Sequence, residues 1–262
     1  MHSISVMPRF SWPVAATVAA LVAFVLAPRP LAAIGGSRGF VDQADLADTF
    51  RTAFAGYWNS GRPAFTPELA EIADYWVRYH LVKAVFATIV LVAALVIGMR
   101  LRRTELGAGS LTAAYVAVSS LTVVAAAAVL ANVQGAVSPF ASLLSMLPTD
   151  RADAALDQVQ QGLENPAPHG MPAVLDAMVD DFARFHAVMV VIGAVTVLVL
   201  VGASALLWQW RARTDHDDRR NRTVATSFAV FVSVMAVGML VVVAANLSTV
   251  ADPAPALLAV FA

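Results

Sequence analysis

Residues 74–99 read DYWVRYHLVKAVFATIVLVAALVIGM, and this stretch decides the fold class. It joins a polar, aromatic segment to an apolar run over residues 81–99, in which Lys83 is the one charged residue. A helix needs about 20 largely apolar residues to cross the roughly 30 Å hydrocarbon core of a bilayer, because each residue advances it by about 1.5 Å. The run therefore predicts a membrane-spanning helix that begins outside the membrane.

The composition of the whole chain agrees with this prediction. Of its 262 residues, 59% are hydrophobic and 13% are charged, whereas a soluble domain has about 25% charged residues. Four further apolar runs are long enough, or nearly so, to span a bilayer: residues 12–26, 111–133, 187–210 and 224–247. We predict an all-α, polytopic membrane protein with five transmembrane helices.

The first apolar run, residues 12–26, is the shortest and has features of a signal peptide. A short region containing Arg9, the apolar run and small residues at Ala32 and Ala33 would also suit a cleavable signal sequence. No twin-arginine pair precedes the run. We expect an uncleaved signal anchor, so that residues 1–33 hold an N-terminal transmembrane helix.

The charges between the apolar runs predict the orientation in the membrane, because short cytoplasmic loops are enriched in Lys and Arg. One side has nine basic and four acidic residues, and the other has eight and fourteen, in agreement with the net charge of −1. The first side holds Arg9, Arg100, Arg102, Arg103, Arg211, Arg213, Arg219, Arg220 and Arg222, with Glu105, Asp215, Asp217 and Asp218. We expect a bacterial cytoplasmic membrane protein with its N-terminus inside and its C-terminus outside. The single Lys, against sixteen Arg, favours a high-GC, actinobacterial-like source.

Two heptapeptides share one pattern, which indicates an internal repeat. DYWVRYH at residues 74–80 and DDFARFH at residues 180–186 both follow Asp, any residue, aromatic, any residue, Arg, aromatic, His. Each leads into a pair of apolar runs that closes with Ala-Asn, and Pro139 and Pro253 follow the two Asn residues at the same distance. The repeated positions are Asp74, Trp76, Arg78, His80 and Asn132 in one copy and Asp180, Phe182, Arg184, His186 and Asn246 in the other.

Parity fixes the relation between the two copies. Each copy has two spans, so both enter the membrane in the same sense and are parallel repeats about an axis along the membrane normal. We expect repeat 1 over residues 34–147 and repeat 2 over residues 148–262. Long helices opening near Pro67 and Pro172, with shorter helices near residues 45–58 and 152–163, would form an extracytoplasmic helical cap. The apolar segments after Pro139 and Pro253 are too short to span, and we expect them to lie flat in the interface or against a partner.

The repeated residues allow several interpretations. Residues four apart share a helix face, which predicts two Asp–Arg ion pairs and two contacts between an aromatic ring and an imidazole. The motif would suit interfacial anchoring or pairing across the pseudo-two-fold axis. Alternatively, His80 and His186 are candidate ligands for a b-type haem or a metal. For Asn132 and Asn246 we favour helix capping over hydrogen bonding across the bundle.

The sequence carries no common catalytic signature, such as a phosphate-binding glycine loop or a His-Glu-x-x-His motif. The sequence has no Cys, and its net charge of −1 does not favour binding to nucleic acid. No charged residue lies at the centre of a predicted span, and this disfavours an ion-coupled carrier. We expect a non-enzymatic accessory or scaffolding subunit of a larger cell-envelope complex, lipid-handling or respiratory, without a cofactor. Its partners would be membrane lipids and other membrane subunits or further copies of itself. The alternatives are a haem b redox protein using His80 and His186, and a lipid- or hydrophobe-binding protein with a groove between the repeats at the outer leaflet.

Overall fold

The structure is a computed structural model that describes residues 7–34, 39–101, 104, 108–147, 153–165 and 170–261. The side chains of residues 7–10, 108 and 220 are outside this description. Several residues used in the charge comparison, among them Arg102, Arg103 and Glu105, lie outside the described residues, as does the expected start of repeat 2 at residue 148. The orientation in the membrane therefore stays a prediction from the sequence.

All regular structure in the described ranges is helical. Helix accounts for 88% of the described residues, and none of them is in a strand. The all-α prediction is confirmed. The helices are α1 Met7–Leu26, α2 Pro28–Ala32, α3 Gln43–Ser60, α4 Pro67–Leu101, α5 Ala108–Val137, α6 Pro139–Leu143, α7 Ala154–Glu164, α8 Ala173–Arg213, α9 Arg219–Ala251 and α10 Pro253–Phe261, with a 3-10 turn at Leu144–Met146.

Four helices, α4, α5, α8 and α9, are long and apolar enough to cross a membrane. Within their most apolar windows only 22% of the residues of α4, and 11% in each of the others, are buried inside the protein. So much exposed apolar surface requires lipid or a partner to cover it. The apolar part of α1, Ser11–Leu26, is shorter than these four, so a fifth span stays a prediction.

The long helices form two hairpins, with α4 packed against α5 and α8 packed against α9. The hairpins meet along α5 and α8, and α1 packs on the side of α4. Ala20 of α1 is buried in one cluster with Val90 and Ala125, where the small side chains permit close helix packing. Lys83 is also covered by α1, since its Nζ atom lies 4.6 Å from the ring centroid of Phe24. A cation over an aromatic face is a favourable arrangement for a charge near lipid.

The short helices form a helical cap at one end of the bundle. We define the helical cap as α2, α3, α6, α7 and α10 together with residues 67–76 of α4 and 173–182 of α8. Its core is continuous and contains fully buried aromatic rings, among them Phe50, Phe54, Tyr57 and Phe140. The helices predicted near residues 45–58 and 152–163 are present as α3 and α7, and their position outside the membrane stays a prediction.

The two long helices that enter the cap start close to the predicted prolines. α4 begins at Pro67, and the Oγ1 atom of Thr66 accepts a hydrogen bond of 3.3 Å from the backbone N–H of Leu69. This is the expected arrangement of a capping residue followed by proline at the first helical position. α8 begins one residue later than expected, at Ala173, because Pro172 has the extended backbone of a capping residue (φ −56, ψ 143).

The segments that follow Pro139 and Pro253 are part of the helical cap. They form α6 and α10, and each helix starts at its proline. Phe140 of α6 and Leu257 of α10 are buried in the core of the cap. These buried side chains pack within the protein's own cap, and contact of the two segments with the membrane interface or with a partner stays a prediction.

Candidate functional site

His80 of α4 is hydrogen-bonded to Asn132 of α5, with 2.9 Å between the Nδ1 and Oδ1 atoms. The Nδ2 group of Asn132 donates to the carbonyl oxygen of Ala128, one turn earlier, at 2.7 Å. Because the carbonyl oxygen of Ala128 accepts from the side-chain amide of Asn132, the Oδ1 atom of Asn132 faces the imidazole. An amide oxygen can only accept, so Nδ1 of His80 must donate to it. The hydrogen-bond network thus assigns the proton to Nδ1 of His80 and joins the two helices of the first hairpin.

The second hairpin contains the same pair. The Nδ1 atom of His186 in α8 lies 2.8 Å from the Oδ1 atom of Asn246 in α9. Asn246 in turn donates through Nδ2 to the carbonyl oxygen of Val242 at 2.8 Å. The two His and two Asn residues of the repeat therefore form two His–Asn pairs, each within one hairpin.

These pairs differ from two of the expectations. Both Asn residues lie inside their helices, because α5 continues to Val137 and α9 to Ala251, so they do not cap the ends. The His residues also do not pair across the pseudo-two-fold axis, because each of them bonds to an Asn of its own hairpin. Hydrogen bonding between helices, the other interpretation of the Asn residues, is the one observed.

An aromatic ring contacts each of the two imidazoles, as the motif predicts. Trp76 lies edge-on to His80 with 4.6 Å between ring centroids, and Phe182 lies 4.7 Å from His186. Trp76 makes one contact that Phe182 cannot, because its Nε1 group donates to Ser142 Oγ of α6 at 2.7 Å. Trp76 therefore also attaches the first His–Asn pair to the helical cap.

The charged residues of the motif are arranged otherwise than expected. The Nε group of Arg78 donates to the carbonyl oxygen of Ala32, at the end of α2, at 2.8 Å. Arg184 lies 3.9 Å from Asp181, three residues away, rather than pairing with Asp180. Asp74 and Asp180 are exposed. In the part of the chain that the structure describes, the two predicted Asp–Arg pairs do not form.

Asp181 is a site residue that the repeat pattern did not single out. Its carboxylate accepts a hydrogen bond from the backbone N–H of Ala141 at 3.0 Å. It thus connects α8 to α6, which follows the other hairpin in the chain. Gln134 makes a second such connection, because its Nε2 group donates to the carbonyl oxygen of Phe185 at 3.0 Å. Neither residue is repeated, so the motif comparison gave no signal for them.

Gly135 is the third residue that the sequence did not reveal, and it contacts the imidazole of His80. A Cβ atom at Gly135 would lie 2.7 Å from both Cε1 and Nε2 of that ring. The Nε2 atom is buried and has no hydrogen-bond partner among the described residues. Only glycine leaves room for this close contact. The equivalent position in the second hairpin is Thr249.

This geometry bears on the haem and metal alternative. Asn132 and Asn246 engage the Nδ1 atoms, so only the Nε2 atoms would be open to a metal ion. The Nε2 atom of His80 lies against Gly135, and the described ranges hold no group of three or more His, Cys, Asp or Glu side chains that suits a metal. The described contacts thus hold both imidazoles against the neighbouring helix and do not favour coordination by His80.

A cavity of about 360 Å³ lies between the two hairpins, far from the His–Asn pairs. It is lined mainly by apolar side chains, including Leu95, Met99 and Phe228, and Tyr115 meets Phe228 edge-on across it. These residues are near the arginine-rich turns. This cavity is at the end of the bundle opposite the helical cap, and the groove predicted at the outer leaflet stays a prediction.

No protein-family model matches this chain, and comparison with curated proteins and with solved structures found no match.

Proposed function

We propose that this protein is a non-enzymatic integral membrane protein that serves as an accessory or scaffolding subunit of a larger membrane complex in the bacterial cell envelope. The observation that carries the proposal is the pair of hydrogen bonds His80–Asn132 and His186–Asn246. They engage the imidazole and amide side chains of the repeat with partners in the protein itself. Such residues stabilise a rigid frame, whereas an active site needs reactive groups that are open to a substrate.

The arrangement in the membrane is part of this proposal. Five spans, counting α1, would comprise two parallel hairpin repeats and one additional N-terminal helix. The order of a short helix, two long helices and a short helix occurs in α3–α6 and again in α7–α10, which supports duplication. With the arginine-rich turns inside, the helical cap lies outside the cytoplasmic membrane.

The helical cap provides the surface on which a partner would bind. Its core is buried, but its carboxylates are exposed, among them Asp48, Glu68, Asp74, Asp157, Asp176 and Asp180. An acidic surface attracts a basic partner and repels acidic ones, and salt weakens the attraction. The scaffolding role therefore requires a partner whose association depends on ionic strength.

Extraction of native membranes with a mild detergent tests the proposal. We expect the protein to migrate with stoichiometric partners or further copies of itself, and high salt to reduce the association of a basic partner with the acidic cap. The double variant Asp74→Lys/Asp180→Lys should reduce it as well. Asp217→Lys is the matched control, because Asp217 is exposed at the other end of the bundle.

Two results would overturn the scaffolding role. The first is a lone monomer at low salt, both after extraction and after chemical cross-linking in intact membranes. The second is a haem absorption band in the purified protein that disappears in the His186→Ala variant, which would favour a redox protein instead. A colourless protein in a large, salt-sensitive assembly supports the proposal.

The absence of Cys from the sequence makes the topology testable by labelling. Asn59→Cys in the helical cap and Asp217→Cys in the turn between α8 and α9 both replace exposed residues. A membrane-impermeant maleimide should label the first variant in cells whose cytoplasmic membrane is intact, and the second only after permeabilisation. The reverse pattern would show that the cap faces the cytoplasm.

A further inference from the structure

A polar pocket lies at the turn between α8 and α9, at the end of the bundle opposite the helical cap. Its volume is about 370 Å³. We call it the arginine pocket. Its described lining residues are Arg211, His216, Arg219, Arg222, Thr223, Thr226 and Ser227. This lining has three guanidinium groups and no carboxylate, so the pocket suits an anion.

Hydrogen bonds hold two of the three guanidinium groups in place. The Nε group of Arg211 donates to Thr226 Oγ1 at 2.8 Å, and the Nη1 atom of Arg222 lies 2.7 Å from Nδ1 of His216. Each bond uses one part of a guanidinium fork and leaves other N–H groups for a ligand. A pre-positioned arginine loses less conformational entropy on binding than a free one, which favours recognition of a phosphate.

The carboxylates of the same turn, Asp215, Asp217 and Asp218, do not line the arginine pocket. Asp218 caps α9, because its Oδ1 atom accepts from the backbone N–H of Asn221 at 3.1 Å and its Oδ2 atom accepts from the side chain of the same residue. The start of α9 is therefore occupied by the protein's own capping residue. The arginine side chains, and not the helix terminus, make the site attractive to an anion.

Aromatic side chains near this end indicate that the pocket is at headgroup depth. The guanidinium of Arg211 lies 5.6 Å from the ring centroid of Trp208, and that of Arg100, at the end of α4, lies 5.0 Å from Trp12. Trp residues flanked by Arg are typical of the polar boundary of a bilayer. An anion reaching the arginine pocket would therefore be at the level of the lipid phosphates.

We propose that the arginine pocket binds the phosphate headgroup of an anionic phospholipid in the leaflet that faces the arginine-rich turns. Three guanidinium groups without a nearby lining carboxylate complement a phosphodiester. Basic pockets between spanning helices are a recurrent way to hold anionic lipids. The free phosphate ion shares this chemistry, but the depth of the pocket favours the lipid.

Native mass spectrometry of the purified full-length protein tests the proposal. The probes are phosphatidylglycerol and phosphatidylcholine with identical acyl chains. We expect wild type to retain the anionic lipid in preference, and Arg219→Gln/Arg222→Gln to lower its affinity by about fivefold or more for each arginine removed. Arg213→Gln is the matched control, because Arg213 belongs to the last turn of α8 but does not line the pocket.

Three outcomes would overturn the proposal. Equal loss of affinity in the Arg213→Gln control would indicate general charge attraction rather than a site. Equal retention of the two lipids by wild type would show that the headgroup is not recognised. Binding of inorganic phosphate that millimolar lipid does not displace would identify the free ion as the ligand.

Folding of the variants is checked independently. The thermal unfolding midpoint of the Arg219→Gln variant should match wild type, because Arg219 is exposed, whereas Arg222 is half-buried and bonded to His216. If the double variant unfolds early, Arg219→Gln alone decides the question, with Arg219→Lys expected to restore part of the affinity. An unchanged affinity in a folded Arg219→Gln protein would contradict the role of this arginine in the pocket. The outcome is separate from the test of scaffolding, which measures proteins bound to the helical cap.

Discussion

The Nδ1 atom of His80 lies 2.9 Å from the Oδ1 atom of Asn132, a residue 52 positions further along the chain. The equivalent pair, His186 and Asn246, is separated by 60 positions and by 2.8 Å. The longer helices of the second hairpin account for this difference, because α8 extends further beyond His186 than α4 does beyond His80, whereas the turn between α8 and α9 is not longer than the segment between α4 and α5. The hydrogen bond is therefore kept although the hairpins differ in length, which is what a contact that defines hairpin geometry requires.

A double-mutant cycle of His80→Ala and Asn132→Ala should measure this bond. Hydrogen bonds between helices in membrane proteins contribute about 0.6 kcal/mol on average and about 1.7 at most. We expect a coupling free energy in this range, measured by unfolding the purified protein in mixed micelles. The cycle of His186→Ala and Asn246→Ala should give a similar value.

The cross-hairpin cycle is the control for this prediction. His80→Ala combined with Asn246→Ala should give additive effects, because these residues belong to different pairs. A coupling across the hairpins as large as that within them would contradict the observed pairing.

Replacing Gly135 should disturb the first hairpin and not the second. A Cβ at this position would lie 2.7 Å from His80 Nε2, so Gly135→Ala must displace the imidazole and weaken its bond to Asn132. We expect a destabilisation of about 1–3 kcal/mol. Gly98→Ala in the same hairpin is the matched control.

Gly98 can accept a methyl group, since its Cβ would lie 3.5 Å from Val118 Cγ1, an ordinary contact. Alanine also has the higher helix propensity, so this control should be neutral or slightly stabilising. Equal destabilisation by both substitutions would show that the close approach to His80 is not important for stability.

Replacing Trp76 with Phe separates the two functions of this side chain. Phe182 in the second motif shows that a phenyl ring can contact the imidazole, but only Trp donates to Ser142. Trp76→Phe should therefore cost about 1 kcal/mol and increase hydrogen exchange of the α6 amides. Ser142→Ala should have the same effect on α6, and combining the two should add little. Unchanged exchange in α6 would argue against the connection.

Tyr57 should make the stability of the helical cap sensitive to alkaline pH. Burial of the phenol, together with the smaller effect of the nearby Asp181 carboxylate, raises its pKa from 10.0 to about 12. A pKa that is higher in the folded protein stabilises the fold below pH 10, and this contribution is lost as the pH rises from 10 to 12. The unfolding midpoint should fall over this range.

The Tyr57→Phe variant isolates this effect from the other tyrosines. It lacks the hydroxyl that donates to the carbonyl oxygen of Pro63 at 3.3 Å, so we expect it to be less stable near neutral pH by about 0.5–1.5 kcal/mol. Its stability should also decline less than that of wild type above pH 10. A parallel decline in the two proteins would contradict a raised pKa at Tyr57.

The sequence by itself determined the helices and much of their ends. Long apolar runs specify helices of membrane-spanning length, because the backbone of such segments must satisfy its own hydrogen bonds in lipid. Thr66 and Pro67 specify the start of α4, and Pro139 and Pro253 specify the starts of α6 and α10, since proline suits the first turn of a helix. These are local properties of the chain, and the repeated motif also marked His80 and His186 as important.

Only the tertiary structure decided which side chains meet. The pairing of His80 with Asn132, the contact of its ring with Gly135 and the bond from Ala141 to Asp181 each join different helices or helix ends. Such contacts depend on the rotation and axial offset of one helix against another, and an apolar run that is hydrophobic on every face does not specify that rotation. The steric fit of the packed helices fixes it.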